Sequence, residues 1–362
     1  MNEKVIIVTY SDDYSKSEAI ELSRSAGYIP VYVFQVKVLK GGKYGLTTGK
    51  AFELKDLVIE KRPDLVIVDE QLTASQIYNL SKLLNVNVID RIRLILNIFE
   101  KRAATTEAKL QVKLAELQYE VPRIREIVRL SKMGEQTGPM GYGAYEVDKY
   151  IRFLKRQIVS LRRKLEKERV RRDLFRKKRL EENKFIVSLA GYTAAGKTTL
   201  FNALTDEDKP VTGKLFTTLT TTARKMKGYE DIIIIDTVGF IERLPHFMIE
   251  SFKSTLEELQ FSDVILLVLD YSLKEEEFLR KYKASLQVLS ELGVDLGKVI
   301  LVLNKIDLKD DNFVFEDDLI KEKVEVSALK GTNLDKLKEI LYKKYLEAKN
   351  TQLIQEKAVN QL

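Results

Sequence analysis

The chain has 362 residues, and its 61 lysines and arginines outnumber its 54 aspartates and glutamates, which gives a formal net charge of +7. It contains no cysteine and one histidine, so disulfides, thiolate metal sites and multi-histidine metal centres are excluded. No apolar stretch approaches the roughly 20 residues of a membrane-spanning helix, and the N-terminus lacks a signal-peptide pattern. Length and composition therefore predict a cytoplasmic protein of two or three domains.

Residues 1–90 alternate between short apolar runs and helical patterns, which predicts a small N-terminal parallel α/β domain. A glycine-rich stretch at residues 41–50 resembles a nucleotide loop only loosely, because Tyr44 and Ala51 stand where glycine and a hydroxyl residue are needed. We favour a surface loop there over a second nucleotide site. Strands are predicted at residues 5–8, 29–38, 65–68 and 86–89, and helices at residues 15–26, 52–59 and 77–84.

Residues 91–182 change to long helices with heptad-like apolar spacing, which predicts an antiparallel helical hairpin as a linker. Pro122 is expected to interrupt the first helix, and the glycine-rich residues 134–143 to connect the two. The second helix, at residues 146–180, holds 15 lysines and arginines against 5 acidic residues. This excess indicates contact with nucleic-acid phosphates, and the alternative is a solvated coiled-coil face.

Residues 185–199 combine an apolar strand, a glycine-framed loop and the start of a helix. The loop matches G-x-x-x-x-G-K-[ST], in which backbone N–H groups and the helix N-terminus bind phosphates. Lys197 is expected to reach the β- and γ-phosphates, and Thr198 to coordinate Mg²⁺. The predicted nucleotide-binding residues of this loop are Gly191, Tyr192, Thr193, Ala194, Ala195, Gly196, Lys197, Thr198 and Thr199.

Two segments after the loop are typical of a nucleotide switch. Asp236 and Gly239 form D-x-x-G, in which the aspartate holds Mg²⁺ through water and the glycine N–H reaches the γ-phosphate. The threonine-rich residues 211–222 occupy the place where a switch threonine closes on Mg²⁺ and the γ-phosphate, although an ordinary loop would also fit.

The base is predicted from N-K-x-D, formed by Asn304, Lys305 and Asp307. A carboxylate can accept the ring N–H and the exocyclic amine of guanine, whereas adenine offers no such pair of donors. Residues 183–350 are therefore predicted to be a Ras-like P-loop GTPase domain that takes GTP, GDP and Mg²⁺, with a polar tail at residues 351–362. A last loop is expected to complete the base pocket with Ser327, Ala328 and Leu329.

With these motifs in order, the chain resembles the HflX family of translational GTPases over nearly its full length. Members bind the large ribosomal subunit and are implicated in splitting or rescuing ribosomes. The resemblance therefore implies the large subunit and its ribosomal RNA as partners, and we expect a monomer. The matching segments are residues 89–99, residues 109–117, Gly191–Tyr192–Thr193, residues 236–240 and Leu244–Pro245–His246.

The resemblance also assigns a role to Thr218, which is the threonine of the family's phenylalanine-x-threonine-leucine motif. It implies that Thr218 is the switch I ligand of Mg²⁺ and joins Lys197 and Gly239 in the catalytic set. His246 is expected to be structural or a partner contact rather than catalytic. The alternative function is a G protein that acts on another RNA or protein, with the basic helix as a scaffold.

Several positions depart from the family pattern. The connector reads Gly138, Pro139, Met140, Gly141 in place of the usual G-P-G-E-T-Q. After the last GTPase helix we expect no counterpart of the extra C-terminal domain of longer relatives. Ala194 replaces a P-loop asparagine that helps some GTPases hold a potassium ion. Phe240 stands where Ras-like GTPases carry the glutamine that orients water, so we expect slow hydrolysis without a partner.

Overall fold

The computed structural model describes residues 3–134, 142–207, 215–216, 221–243, 245–309 and 313–359. The chain divides into two compact units, Met1–Val170 with Leu244–Phe252, and Arg171–Arg243 with Lys253–Leu362. Each unit is built on a β-sheet covered by helices, which confirms the predicted α/β class. Within the described ranges, no helix is both long and apolar enough to cross a membrane.

The first unit contains a four-stranded parallel sheet in the order β2-β1-β3-β4. Its predicted strands and helices agree with the observed ones to within a few residues. The elements are β1 (Lys4–Tyr10), α1 (Asp13–Ser25), β2 (Ile29–Val36), α2 (Thr48–Lys61), β3 (Leu65–Val68), α3 (Ala74–Leu84), β4 (Asn87–Asp90), α4 (Arg91–Arg102), α5 (Thr106–Gly134) and α6 (Tyr142–Glu181), the last of which continues into the second unit.

Local signals in the sequence explain where the helices of this unit begin. The side chain of Asp12 accepts the N–H of Ser15 at 2.9 Å and caps α1. Thr73 and Gln76 form a reciprocal capping box at the start of α3, which satisfies two N–H groups that a helix leaves open. The apolar faces of these helices then cover strands whose central residues are fully buried.

The predicted interruption at Pro122 is wrong, because α5 runs through this residue from Thr106 to Gly134. A proline inside a helix removes one hydrogen bond and costs about 3 kcal/mol. Before the exposed proline, Leu117 and Val121 are buried with Ile151 and Leu154 of α6. After it, Ile124 packs against the same cluster, so apolar contact holds the helix on both sides. The helical hairpin is thus present, while residues 135–141 of its predicted connector lie outside the described residues.

The second unit contains a six-stranded sheet in the order β10-β9-β8-β5-β7-β6, in which only β6 is antiparallel to its neighbour. The polar tail predicted at residues 351–362 is helical as far as Val359. The elements are β5 (Phe185–Ala190), α7 (Lys197–Leu204), β6 (Thr222–Met226), β7 (Tyr229–Asp236), α8 (His246–Gln260), β8 (Val264–Asp270), α9 (Glu275–Glu291), β9 (Val299–Asn304), β10 (Lys323–Val326) and α10 (Leu334–Val359), with α8 beginning in the first unit.

The register of this sheet determines which side chains meet at its carboxyl edge. Every residue of β5 and β9 is buried, as is typical of parallel strands covered on both faces. Leu189 pairs with Asp236 across β5 and β7, and Asp270 pairs with Asn304 across β8 and β9. Four neighbouring strands therefore end beside one another, with polar residues at or just beyond their last positions.

Candidate nucleotide-binding site

The loop between β5 and α7 has a backbone conformation that requires glycine at its end. Gly196 has φ +94°, and a Cβ there would lie 2.3 Å from Nδ2 of Asn304, so this position requires glycine. Helix α7 begins at Lys197, and its first N–H groups have no partner within the helix. Open N–H groups and the helix dipole together favour an anion at this point.

The ammonium group of Lys197 lies inside this loop. Its Nζ donates hydrogen bonds to the carbonyl oxygens of Gly191 at 2.9 Å and Tyr192 at 2.7 Å. Burial lowers the pKa of Lys197 to about 8, and the negative charge of Asp236 partly opposes that shift. A phosphate would restore the charged form of the lysine, because an anion close by favours the protonated amine.

Thr198 and Asp236 supply a pair of buried oxygen ligands. The Thr198 hydroxyl donates to Oδ2 of Asp236 at 3.3 Å, and the two residues are 9% and 0% exposed. The neighbouring Thr237 hydroxyl donates to the carbonyl of Leu189 at 2.6 Å, which ties the end of β7 to β5. Hard oxygen donors next to a phosphate-binding loop fit Mg²⁺, which takes one or two protein oxygens and completes its shell with water and phosphate.

The D-x-x-G segment lies directly against the loop. The N–H of Phe240 donates to the carbonyl of Gly191 at 2.9 Å, and the N–H of Thr193 donates to the carbonyl of Phe240 at 2.8 Å. A Cβ on Gly239 would lie 2.9 Å from Cγ2 of Thr193 and 3.0 Å from Nζ of Lys197, so the close approach requires glycine. From the sequence, Phe240 is part of the family resemblance and the residue that replaces a glutamine, and this backbone pairing was not predicted.

Asn304 joins the loop to the predicted base pocket. Its Nδ2 donates to the carbonyl of Ala195 at 2.9 Å, and its Oδ1 accepts the N–H of Ala328 at 3.0 Å. The hydroxyl of Ser327 accepts the N–H of Lys330 at 3.1 Å. In this structure the Ala328 N–H is therefore directed to Asn304, and the contribution of this loop to the base pocket stays a prediction.

The remaining predicted residues fall into three groups. Asp307, Leu329 and Ala194 are exposed, and Ala194 has φ +62°. Thr199 is half-buried, whereas Tyr192 is buried with its hydroxyl accepting the N–H of Glu242 at 3.0 Å. Thr218 lies outside the described residues, and α8 begins at His246, whose side chain also falls outside them.

Taken together, the strand-end loop, the buried threonine and aspartate, and the N-K-x-D turn define the second unit as a P-loop GTPase domain. Three family models match the chain along its length: GTP-binding GTPase N-terminal at residues 13–100, GTP-binding GTPase Middle Region at residues 102–179, and 50S ribosome-binding GTPase at residues 186–305.

Relatives identify the family. The chain is 48% identical to GTPase HflX of Methanocaldococcus jannaschii over 305 residues, which covers 83% of this chain and 75% of that protein. It is 33% identical to GTPase HflX of Saccharolobus solfataricus over 344 residues, which covers 90% and 95%. A crystal structure of SsGBP with GDP has a TM-score of 0.56 and 28% identity, and covers 96% of this chain and 99% of that chain. The chain belongs to the HflX GTPase family and is a GTP-binding GTPase.

Proposed function

We propose that this GTPase is a Mg²⁺-dependent switch that docks on the large ribosomal subunit and acts in ribosome splitting or rescue. The proposal is supported by the match of residues 186–305 to the 50S ribosome-binding GTPase model. The observation that carries it is the charge of α6. We expect the protein to act as a cytoplasmic monomer.

Helix α6 presents its positive charge to solvent. The helix has 40 residues and is about 60 Å long. Its apolar contacts with α5 involve Ile151 and Leu154, whereas Arg163, Lys164 and Arg171 are exposed. Arg162 is also exposed and forms an ion pair with Glu250 at 3.1 Å. A long exposed basic surface of this kind fits an RNA backbone, because lysine and arginine release the counterions condensed on phosphates.

The reaction assigned to the second unit is hydrolysis of the γ-phosphate. Thr198 and Asp236 would hold Mg²⁺, which neutralises charge on the β- and γ-phosphates when bound, and Thr218 is the proposed third oxygen ligand. Lys197 and the loop N–H groups would bind the phosphate oxygens, and the N–H of Gly239 would contact the γ-phosphate. These groups would orient and stabilise the triphosphate.

Docking is tested by co-sedimentation with large ribosomal subunits in the presence of a non-hydrolysable GTP analogue, across a series of salt concentrations. We expect affinity to fall steeply with salt, with a log–log slope of about 0.7–0.9 for each phosphate contact. Substituting Arg162, Arg163, Lys164, Arg171 and Arg172 by glutamine should flatten the slope and leave GTP binding unchanged. The matched control replaces five exposed lysines of the GTPase domain, namely Lys274, Lys283, Lys321, Lys336 and Lys343.

An affinity that responds to neither salt nor the α6 substitutions would instead favour the scaffold function, in which the basic helix supports action on another RNA or protein. The same would follow if the control substitutions weakened docking as much as those on α6. Binding to free RNA with equal affinity, without preference for the subunit, would contradict the ribosomal assignment.

Slow intrinsic hydrolysis is the second part of the proposal. Phe240 is 2% exposed and has no hydrogen-bonding side chain, and Ala194 offers a methyl group where some GTPases place a potassium ligand. Single-turnover hydrolysis should therefore be slow and similar in potassium and sodium, and large subunits should accelerate it. The variant Ala194→Asn tests the missing ligand. A tenfold potassium effect in the unaltered protein would contradict this account.

A further inference from the structure

Asp270 lies beside the base-recognition loop, although no motif in the sequence includes it. It is the last residue of β8 and pairs in register with Asn304, the last residue of β9. The next residue after Asn304 is Lys305, so the sheet brings the Asp270 side chain next to it. Oδ2 of Asp270 accepts a hydrogen bond from Nζ of Lys305 at 2.5 Å.

The carboxylate of Asp270 is itself fixed in place. Its other oxygen, Oδ1, accepts the N–H of Ser272 at 3.1 Å and the hydroxyl of Ser272 at 2.6 Å. The side chain is 11% exposed, compared with 32% for Lys305. Both carboxylate oxygens of Asp270 are thus hydrogen-bonded, and the position of this residue at the end of β8 fixes the place of its negative charge.

Lys305 needs such support because its backbone is unusual. Its φ is +67°, in the left-handed region that residues other than glycine seldom adopt. The preceding residue, Asn304, is held by the bonds to Ala195 and Ala328, and the following residues 306–308 form a single 3-10 turn. The Asp270–Lys305 pair is the side-chain contact that fixes the middle of the loop between these two ends.

We propose that Asp270 is a positioning residue for guanine-nucleotide binding, which holds Lys305 and thereby keeps the loop from Asn304 to Asp307 in its binding conformation. Exposed ion pairs contribute little to stability, because water screens them and two flexible side chains must be ordered. This pair differs because the aspartate is largely buried and already bonded to Ser272. The pair keeps the base pocket preformed, so less conformational entropy is lost when the nucleotide binds.

The test measures GDP affinity by calorimetry and GDP release by stopped-flow fluorescence. Asp270→Ala should weaken GDP binding roughly tenfold, mainly through faster release, since the lost bond involves two charged groups. Asp270→Asn keeps the shape and an acceptor for Ser272 and should lose less. Ser272→Ala should shift release in the same direction, by a smaller factor.

A double-mutant cycle with Lys305→Met separates positioning from general destabilisation. If Asp270 acts through Lys305, Asp270→Ala has no further effect on GDP binding once Lys305 is methionine. A structural role would instead weaken binding by the same factor in both backgrounds. Asp231→Asn is the matched control, because it breaks a lysine–aspartate pair of 2.7 Å with Lys184 in the same unit and should leave GDP binding unchanged.

Two results would overturn the proposal. One is GDP affinity within twofold of the unaltered protein for both Asp270→Ala and Asp270→Asn. The other is a full additive loss in the Lys305→Met background. If Asp270→Ala fails to fold, the isosteric Asp270→Asn takes its place in both measurements, and the same two results overturn the proposal.

Discussion

At the carboxyl edge of the sheet in the first unit, Thr9 lies near the end of β1 and Asp69 directly follows β3, and the Thr9 hydroxyl donates to Asp69 at 2.9 Å. Arg91 lies at the same edge, 2.5 Å from Asp69 and 2.7 Å from Glu18. The second unit presents a glycine-framed loop and open helix N–H groups at its corresponding edge. One edge is filled by the protein's own charges, and the other is shaped for an external anion.

The difference shows that a parallel sheet does not by itself make a binding site. Ligands of open α/β sheets bind outside the carboxyl ends of strands, where the strand order reverses, and the order β2-β1-β3-β4 has such a point between β1 and β3. Arg91 is 1% exposed there and occupies the space with its guanidinium group. At the other edge, Gly196 has no side chain and so leaves room for Asn304, because a Cβ there would lie 2.3 Å from its Nδ2. The first N–H groups of α7 stay open to an anion.

The largest effect should come from removing the charge that fills the first edge. Arg91→Met would leave the carboxylates of Glu18 and Asp69 buried without their cation, which costs about 3–5 kcal/mol in the free energy of unfolding of the first unit. Hydrogen–deuterium exchange of β1 and β3 amides, resolved by mass spectrometry, reports this local stability. GDP binding by the second unit should be unchanged.

Arg169→Met is the control for this prediction. Arg169 pairs with Glu166 at 3.8 Å, and both side chains are about half exposed or more. Loss of such a pair should cost less than about 0.5 kcal/mol. If Arg91→Met lowered the free energy of unfolding no more than Arg169→Met does, the buried ion pairs would not be what stabilises this edge of the sheet.

The second effect concerns base recognition at the carboxyl edge of the sheet in the second unit, which we call the open edge. GTP and GDP should bind at least ~100-fold more tightly than ATP, because the groups that pair with guanine would be left without partners against adenine. Asp307→Asn should lose GTP affinity and favour xanthosine nucleotides, as calorimetry can measure. Asp295→Asn, which alters a cap on a short 3-10 turn of the same unit, is the control. Comparable ATP affinity at this pocket would contradict guanine specificity.

The third effect is a proton linked to nucleotide binding. The pKa of Lys197 is lowered to about 8 by burial, so about half of the molecules carry a neutral lysine at pH 8. Phosphate raises that pKa, and the complex should therefore take up as much as about half a proton at pH 8 and almost none at pH 6. Above pH 8 the affinity should fall with rising pH, by at most about tenfold per unit.

Calorimetry at pH 8 in two buffers with different ionisation enthalpies measures this uptake. Lys197→Arg is the matched control, since arginine remains charged over the whole range and should show no uptake even if it binds more weakly. Equal uptake in both proteins would place the proton on another group.

The residues of the phosphate-binding loop are predictable from the sequence for a physical reason. Phosphate binding needs backbone N–H groups, a lysine and a hydroxyl at fixed spacing, so the motif itself carries the geometry around Gly196, Lys197 and Thr198. Asp236 was predicted from the D-x-x-G motif, and it lies beside Thr198 because the carboxyl ends of parallel strands meet at one edge. Thr218 was assigned from a family resemblance and stays a prediction.

The contacts that sequence reasoning missed depend on tertiary register. Asp270 meets Lys305 only because β8 and β9 pair with Asp270 opposite Asn304. Arg91 is buried, although arginine is rarely buried unless paired, and its partners lie 22 and 73 residues away in the chain. Pro122 looked like a helix end because propensity does not include the packing of α5 against α6.

The smallest effect compares two threonines of the open edge. The hydroxyl of Thr193 is buried and has no hydrogen-bond partner among the residues that the structure describes, whereas that of Thr198 donates to Asp236 at 3.3 Å. Thr193→Val replaces a buried hydroxyl by a methyl group of similar size and should raise the free energy of unfolding by up to about 1 kcal/mol. Thr198→Val, the matched control, should lower it by about the same amount because Asp236 loses a donor.

Hydrogen exchange of the β5 and α7 amides in the nucleotide-free protein measures both changes, for which we expect opposite signs. A loss of stability in Thr193→Val would mean that the Thr193 hydroxyl has a hydrogen-bond partner, and the contrast between the two threonines would not hold.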